Sequence, residues 1–184
     1  MNKKFWKNCV VIAFILVFGL LSSILEMYGN APELVKTADR PTQNITLPTE
    51  VVKMIDERWE CVDEEEVING ALSITARYLT FSKHNNLQKG EANCVGYAQL
   101  CAAIMNELFR RNKLYDCSAK PVVGYATFYR LNLCRILERF APKKWKNFFK
   151  NHDFVEFRID NTPSHYYDPT IYDLMNCHCE TVAR

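Results

Sequence analysis

The chain has 184 residues, 48% of them hydrophobic, with Lys+Arg 23 against Asp+Glu 21 and a formal net charge of +2. That length suits a single domain, and so even a balance of charge leaves no electrostatic footprint for nucleic acid, which is excluded as a partner.

At the N-terminus Lys3, Lys4 and Lys7 precede an uncharged apolar run from Cys9 to Leu25, broken by Gly19 and Ser22-Ser23. A basic segment before such a run predicts a signal anchor or signal peptide over residues 1–28. The run is about 17 residues long, the short limit for spanning a membrane. Glu26 to Pro32 offers a poor cleavage pattern, which favours an uncleaved anchor; if it is cleaved, the protein is secreted. Basic residues before the run and only Glu26 directly after it put the N-terminus in the cytoplasm and the rest of the chain outside.

Residues 29–50 are rich in Pro, Thr and Asn without periodicity, which predicts a flexible linker. Asn44-Ile45-Thr46 matches a glycosylation sequon, a pattern common by chance. The remaining 51–184 form the expected domain.

Val51 to Glu60 and Val67 to Phe81 carry helical spacing, the second through Ile68, Ala71, Leu72, Thr75, Tyr78 and Leu79. Asp63 to Glu66 place acidic groups before that second helix, where they complement its positive end. Ser82 to Gly90 is polar and turn-like. From Cys94 an apolar stripe runs through Ala98, Cys101, Ala102, Met105, Leu108 and Phe109 and ends near Arg110-Arg111-Asn112. The cysteine therefore stands where loop becomes helix.

Pro121 to Tyr129 reads as a strand. Leu133 to Phe140 suggests a helix ended by Pro142, and Lys143 to Lys150 an amphipathic basic and aromatic segment covering the core. Phe154 to Ile159 alternates as a strand, Asp160 to Pro163 turns, and His165 to Ile171 returns as a second strand.

Eight cysteines in an exported chain raise the expectation of disulfides. Cys9 lies in the apolar run, and the odd number that remains leaves at least one thiol free or paired between chains, with Cys94 the candidate. Cys177-His178-Cys179 has one-residue spacing, unlike a usual zinc site, so neither metal nor cofactor is expected.

Cys94, His152 and Asp168 supply a thiol, an imidazole and a carboxylate in an order that suits acyl transfer. Unpaired N–H groups at a helix start favour a thiolate and can hold the oxyanion of a tetrahedral intermediate. The Cys94 amide is the first such donor, with Tyr78, Asn85 or Gln88 as candidates for a second. Gly96 and Ala98 keep the helix start small for an approaching acyl group. If Asp160 to Pro163 closes a hairpin, His152 lies opposite or nearly opposite Asp168 on one face, close enough for the carboxylate to orient the imidazole. Asp153 should point to the other face. A one-residue slip would separate His152 from Asp168.

Taken together, Gly90, Cys94, Tyr97-Ala98, His152 and Tyr167-Asp168-Pro169-Thr170, with Gly124 between them, resemble the core of the transglutaminase-like superfamily, relatives of papain-type cysteine peptidases. The resemblance covers Val67 to Tyr172. It implies an α+β fold in which a nucleophile-bearing helix packs on an antiparallel sheet, here preceded by an N-terminal membrane helix. It also implies Cys94 as nucleophile, His152 as base and then acid, and Asp168 as orienter. The chain departs from the pattern at Asp153-Phe154, where a tryptophan often follows the histidine, and at Arg130 to Lys150, which looks like an insertion.

The expected function is a membrane-tethered enzyme of the bacterial envelope that acts on a protein or peptide substrate through a thioester, hydrolysis favoured over cross-linking. The competing reading is a catalytically silent scaffold or binding module.

Overall fold

The computed structural model describes residues 32–41, 45–57, 63–128, 131–132, 151–176 and 178–183. The apolar segment 1–28, the segments expected at 133–140 and 143–150, and Cys61, Cys134 and Cys177 lie outside them. Among the described residues no helix is long and apolar enough to cross a membrane.

The fold is α+β. Strand β1 is Glu33–Asp39, followed by helices α1, Thr49–Asp56, and α2, Glu64–Tyr78. Two short strands, β2 (Thr80–Phe81) and β3 (Glu91–Ala92), pair in parallel ahead of the long helix α3, Cys94–Arg111. Strand β4, Cys117–Phe128, leads through β5, Leu131–Asn132, to β6, His152–Ile159, and β7, His165–Tyr167. Helix α4, Pro169–Met175, and strand β8, Glu180–Val182, complete it. The main sheet runs β1-β4-β6-β7-β8, with antiparallel pairing throughout.

Two boundaries differ from the sequence reading for local reasons. Helix α2 starts at Glu64 because Asp63 caps it, its side chain accepting the Glu66 N–H at 2.9 Å, so the acidic run forms the first turn instead of preceding it. The strand expected over His165 to Ile171 stops at Tyr167, because Asp168 caps a helix whose first residue is Pro169.

A larger correction concerns residues 29–50. Far from being linker throughout, they contain β1, whose backbone pairs with β4 from Glu33↔Thr127 to Asp39↔Val122. Polar strands at a sheet edge have little hydrophobic alternation to betray them, and β1 buries only Leu34.

The sheet curls until its two edges approach. The Leu34 N–H donates to Thr181 Oγ1 at 2.8 Å, and the Cys179 thiol donates to the Pro32 carbonyl at 2.9 Å. Leu34, Val122, Ala126, Phe154, Tyr166 and Cys179 fill the inside of the curl. Gly124 lies where β1 presses on β4: a Cβ there would stand 2.0 Å from the Val35 carbonyl oxygen. The buried carboxylate of Glu156 is met inside the curl by Lys36 Nζ at 2.8 Å, Lys120 Nζ at 3.2 Å and Ser164 Oγ at 2.7 Å.

Helix α3 packs on the outer face. Phe109 stacks on Phe157 with ring centroids 5.5 Å apart, and Asn106 forms a reciprocal pair with Ala119: its Nδ2 donates to the carbonyl at 2.7 Å and its Oδ1 accepts the N–H at 2.9 Å. That clamp sets where the helix begins. Cys94 lies twelve residues before Asn106, roughly 18 Å of helix, while Gly124 lies five residues beyond Ala119, roughly 17 Å of strand. Gly124 pairs with His152, so the start of α3 and the start of β6 come level.

Candidate active site

The loop into α3 is built from asparagines. Asn93 is the N-cap, its Oδ1 accepting the Val95 N–H at 3.0 Å, and the Asn93 N–H donates to Asn85 Oδ1 at 2.8 Å. Capping uses the second amide of the helix and leaves those of Cys94 and Gly96 without an intrahelical acceptor. Gly96 is small for packing, not for substrate as the sequence suggested: a Cβ there would lie 2.7 Å from Ala92 Cβ and 2.8 Å from Asn85 Oδ1.

Cys94 is a free thiol, 6% exposed. No disulfide joins Cys94, Cys101, Cys117 and Cys179 to one another. Burial pushes the Cys101 thiol up to about 12; burial, with Asp116 beside it, pushes Cys117 up to about 11.

His152 opens β6 with its side chain 17% exposed, and its Nε2 is hydrogen-bonded to Asp168 Oδ2. Asp168 is fully buried, and its other oxygen, Oδ1, accepts the N–H groups of Thr170 at 2.9 Å and Ile171 at 3.0 Å. The Cys94 sulfur is close enough to the imidazole to act on its charge. With Nε2 committed to Asp168, the nitrogen available to the sulfur is Nδ1. Burial opposes charge on His152, yet the Asp168 carboxylate and then the Cys94 sulfur outweigh it and hold the imidazole pKa well above the usual histidine value.

The three residues singled out in the sequence are thus brought together, although Asp168 reaches His152 diagonally and not from a facing strand position. Val155 pairs with Tyr167, so Asp168, just past the end of the strand, follows the residue level with Val155 and lies about two positions along from His152.

The suggested second oxyanion donors each make a contact in the loops before α3. Tyr78 donates its hydroxyl to the Leu87 carbonyl at 2.7 Å, Gln88 Nε2 donates to the Thr46 carbonyl at 3.4 Å, and Asn85 holds the Asn93 amide. Near the C-terminus, His178 Nε2 is engaged with Asn69 Oδ1 at 2.8 Å and the Cys179 thiol with Pro32.

One charged residue beside the site escaped the sequence reading. Arg40, just past β1, donates Nε to Asp153 Oδ2 and Nη2 to Asp153 Oδ1, both at 2.7 Å. Asp153 is fully buried, so this fork accounts for its burial and removes it as a rival orienter of His152. Arg40 falls in the stretch read as linker, and no local pattern ties it to a residue more than a hundred positions away.

The class these features define is an α+β domain with a thiol, an imidazole and a carboxylate at a helix-sheet junction. No protein-family model, no curated protein and no solved structure matches the chain.

Proposed function

We propose that this chain is a transglutaminase-like cysteine enzyme that acts on amide or peptide bonds of a protein or peptide substrate through a thioester, with hydrolysis favoured over cross-linking. The N-terminal apolar run tethers it to the membrane with the domain outside the cytoplasm. The observation that carries the reading is the series Asp168, His152, Cys94, in which a buried carboxylate takes one ring nitrogen and leaves the other to the thiol at a helix start.

In the first half-reaction His152 Nδ1 holds the thiol proton while the sulfur adds to the substrate carbonyl carbon. The oxyanion that forms is stabilised by the Cys94 N–H, which has no partner within its helix. Collapse of that intermediate breaks the C–N bond; Nδ1 delivers its proton to the departing amine, and a thioester remains on Cys94. Water then gives a proton to Nδ1 and adds to the thioester carbon, and collapse expels the sulfur and frees a carboxylic acid. An amine in place of water would give a cross-link. Asp168 keeps the ring turned so that Nδ1 faces the sulfur throughout.

An electrophilic thiol probe tests this. Its adduct, assigned to Cys94 by mass spectrometry, forms quickly in the native protein and at least about tenfold more slowly in His152→Ala. Equal rates in the two proteins would leave the silent scaffold as the better reading. The raised Cys101 and Cys117 thiols react slowly near neutral pH and give little background.

A further inference from the structure

We infer that Arg40 is a positioning residue of this site: it holds Asp153, and with it the start of β6 that carries His152, and keeps the Asp153 carboxylate from acting as an uncompensated negative charge beside the Cys94 sulfur. The inference rests on the acyl-transfer reading.

Two carboxylates flank His152. Asp168 is bonded to the ring, while Asp153, the next residue along β6, is wholly buried against Arg40. A buried carboxylate without a partner is strongly unfavourable, and a second negative charge near the ring would oppose the thiolate that catalysis needs. Arg40 meets both requirements. Its fork closes on both oxygens of Asp153 at 2.7 Å, a geometry that resists rotation of the aspartate. Its side chain remains 32% exposed, and the Cys94 sulfur adds to the pull on its charge, so the guanidinium sits within electrostatic reach of the nucleophile.

The fork also ties the site to the sheet edge. Ala38 pairs with Val123 and Val123 with Asp153, so Arg40 reaches across β4 from the end of β1. A register irregularity lies between Lys36 and Ala38. Bulges of that kind redirect the residues that follow.

The test compares alkylation of Cys94 by iodoacetate and by iodoacetamide, which differ by one negative charge, in full-length proteins whose folding is checked by circular dichroism. The ratio of the two rates reads the charge beside the sulfur. Asp153→Asn leaves Arg40 uncompensated and should raise the ratio about threefold or more; Arg40→Met exposes the Asp153 charge and should lower it by a similar factor. Arg40→Lys and the double variant Arg40→Met/Asp153→Asn should stay within about twofold of the native ratio. Opposite shifts that cancel in the double variant are not produced by a merely structural pair. If Arg40→Met fails to fold, Asp153→Asn and the double variant still decide the matter. A native ratio in a folded Asp153→Asn protein overturns the role of Arg40 while Cys94 still outpaces its His152→Ala counterpart; loss of that difference sinks the acyl-transfer reading instead.

Discussion

Asp168 serves His152 and helix α4 with separate oxygens: Oδ2 takes the ring Nε2 while Oδ1 caps the Thr170 and Ile171 amides. The cap holds the carboxylate still, and a carboxylate held still can orient a ring. Two substitutions separate these duties.

Asp168→Asn retains an oxygen for the cap but turns the other group into a donor, so Nε2 must accept and the ring proton moves to Nδ1, facing the sulfur. Cys94 alkylation should fall by about 10³-fold while the thermal midpoint drops little. Asp168→Ala loses both functions, and chemical denaturation should show about 1–2 kcal/mol less stability from the missing cap alone.

The raised pKa of His152 fixes the sign of a pH effect. Its charged form is favoured by folding, so that contribution is complete below the ordinary value of 6.5 and is lost as pH rises through the elevated folded value. The stability gap between the native protein and Asp168→Asn should be widest near about pH 6 and narrow as the pH is raised into the alkaline range. Urea titrations at a series of pH values measure it; a gap that widens with pH would contradict the assignment.

Tyr97 links α3 to α4. Its hydroxyl donates to Asp173 Oδ2 at 2.5 Å and stands 3.3 Å from the Leu79 carbonyl oxygen. Burial and then this carboxylate raise the phenol well above its usual range, so it remains a donor at any working pH. Tyr97→Phe should cost about 1–2 kcal/mol in denaturant unfolding, because the carboxylate and carbonyl lose their donor. Its effect on Cys94 labelling should be far smaller than that of His152→Ala.

Gly124→Ala should destabilise the domain by about 3 kcal/mol or prevent folding, since the atom met at 2.0 Å is backbone and no rotamer change relieves it. Hydrogen exchange should then show β1 amides protected least.

How much of this was legible in the sequence follows from range. Cys94 at a helix start, the apolar stripe of α3, and the β6-turn-β7 hairpin depend on neighbours within a few residues, and their patterns could be read directly. That His152 and Asp168 would come within reach of each other was also readable, because the short turn between the two strands limits the error in register to about two residues.

Other features have no local signature. Arg40 finds Asp153, β1 joins β4, Leu34 meets Thr181 and Asn106 clamps Ala119 only once the sheet has curled and α3 has settled on it. The sequence by itself determined on which elements Cys94, His152 and Asp168 ride. Their convergence, and the charge balance around the sulfur, were decided by tertiary packing, because contacts between segments distant along the chain depend on side-chain fit and burial that no local periodicity encodes.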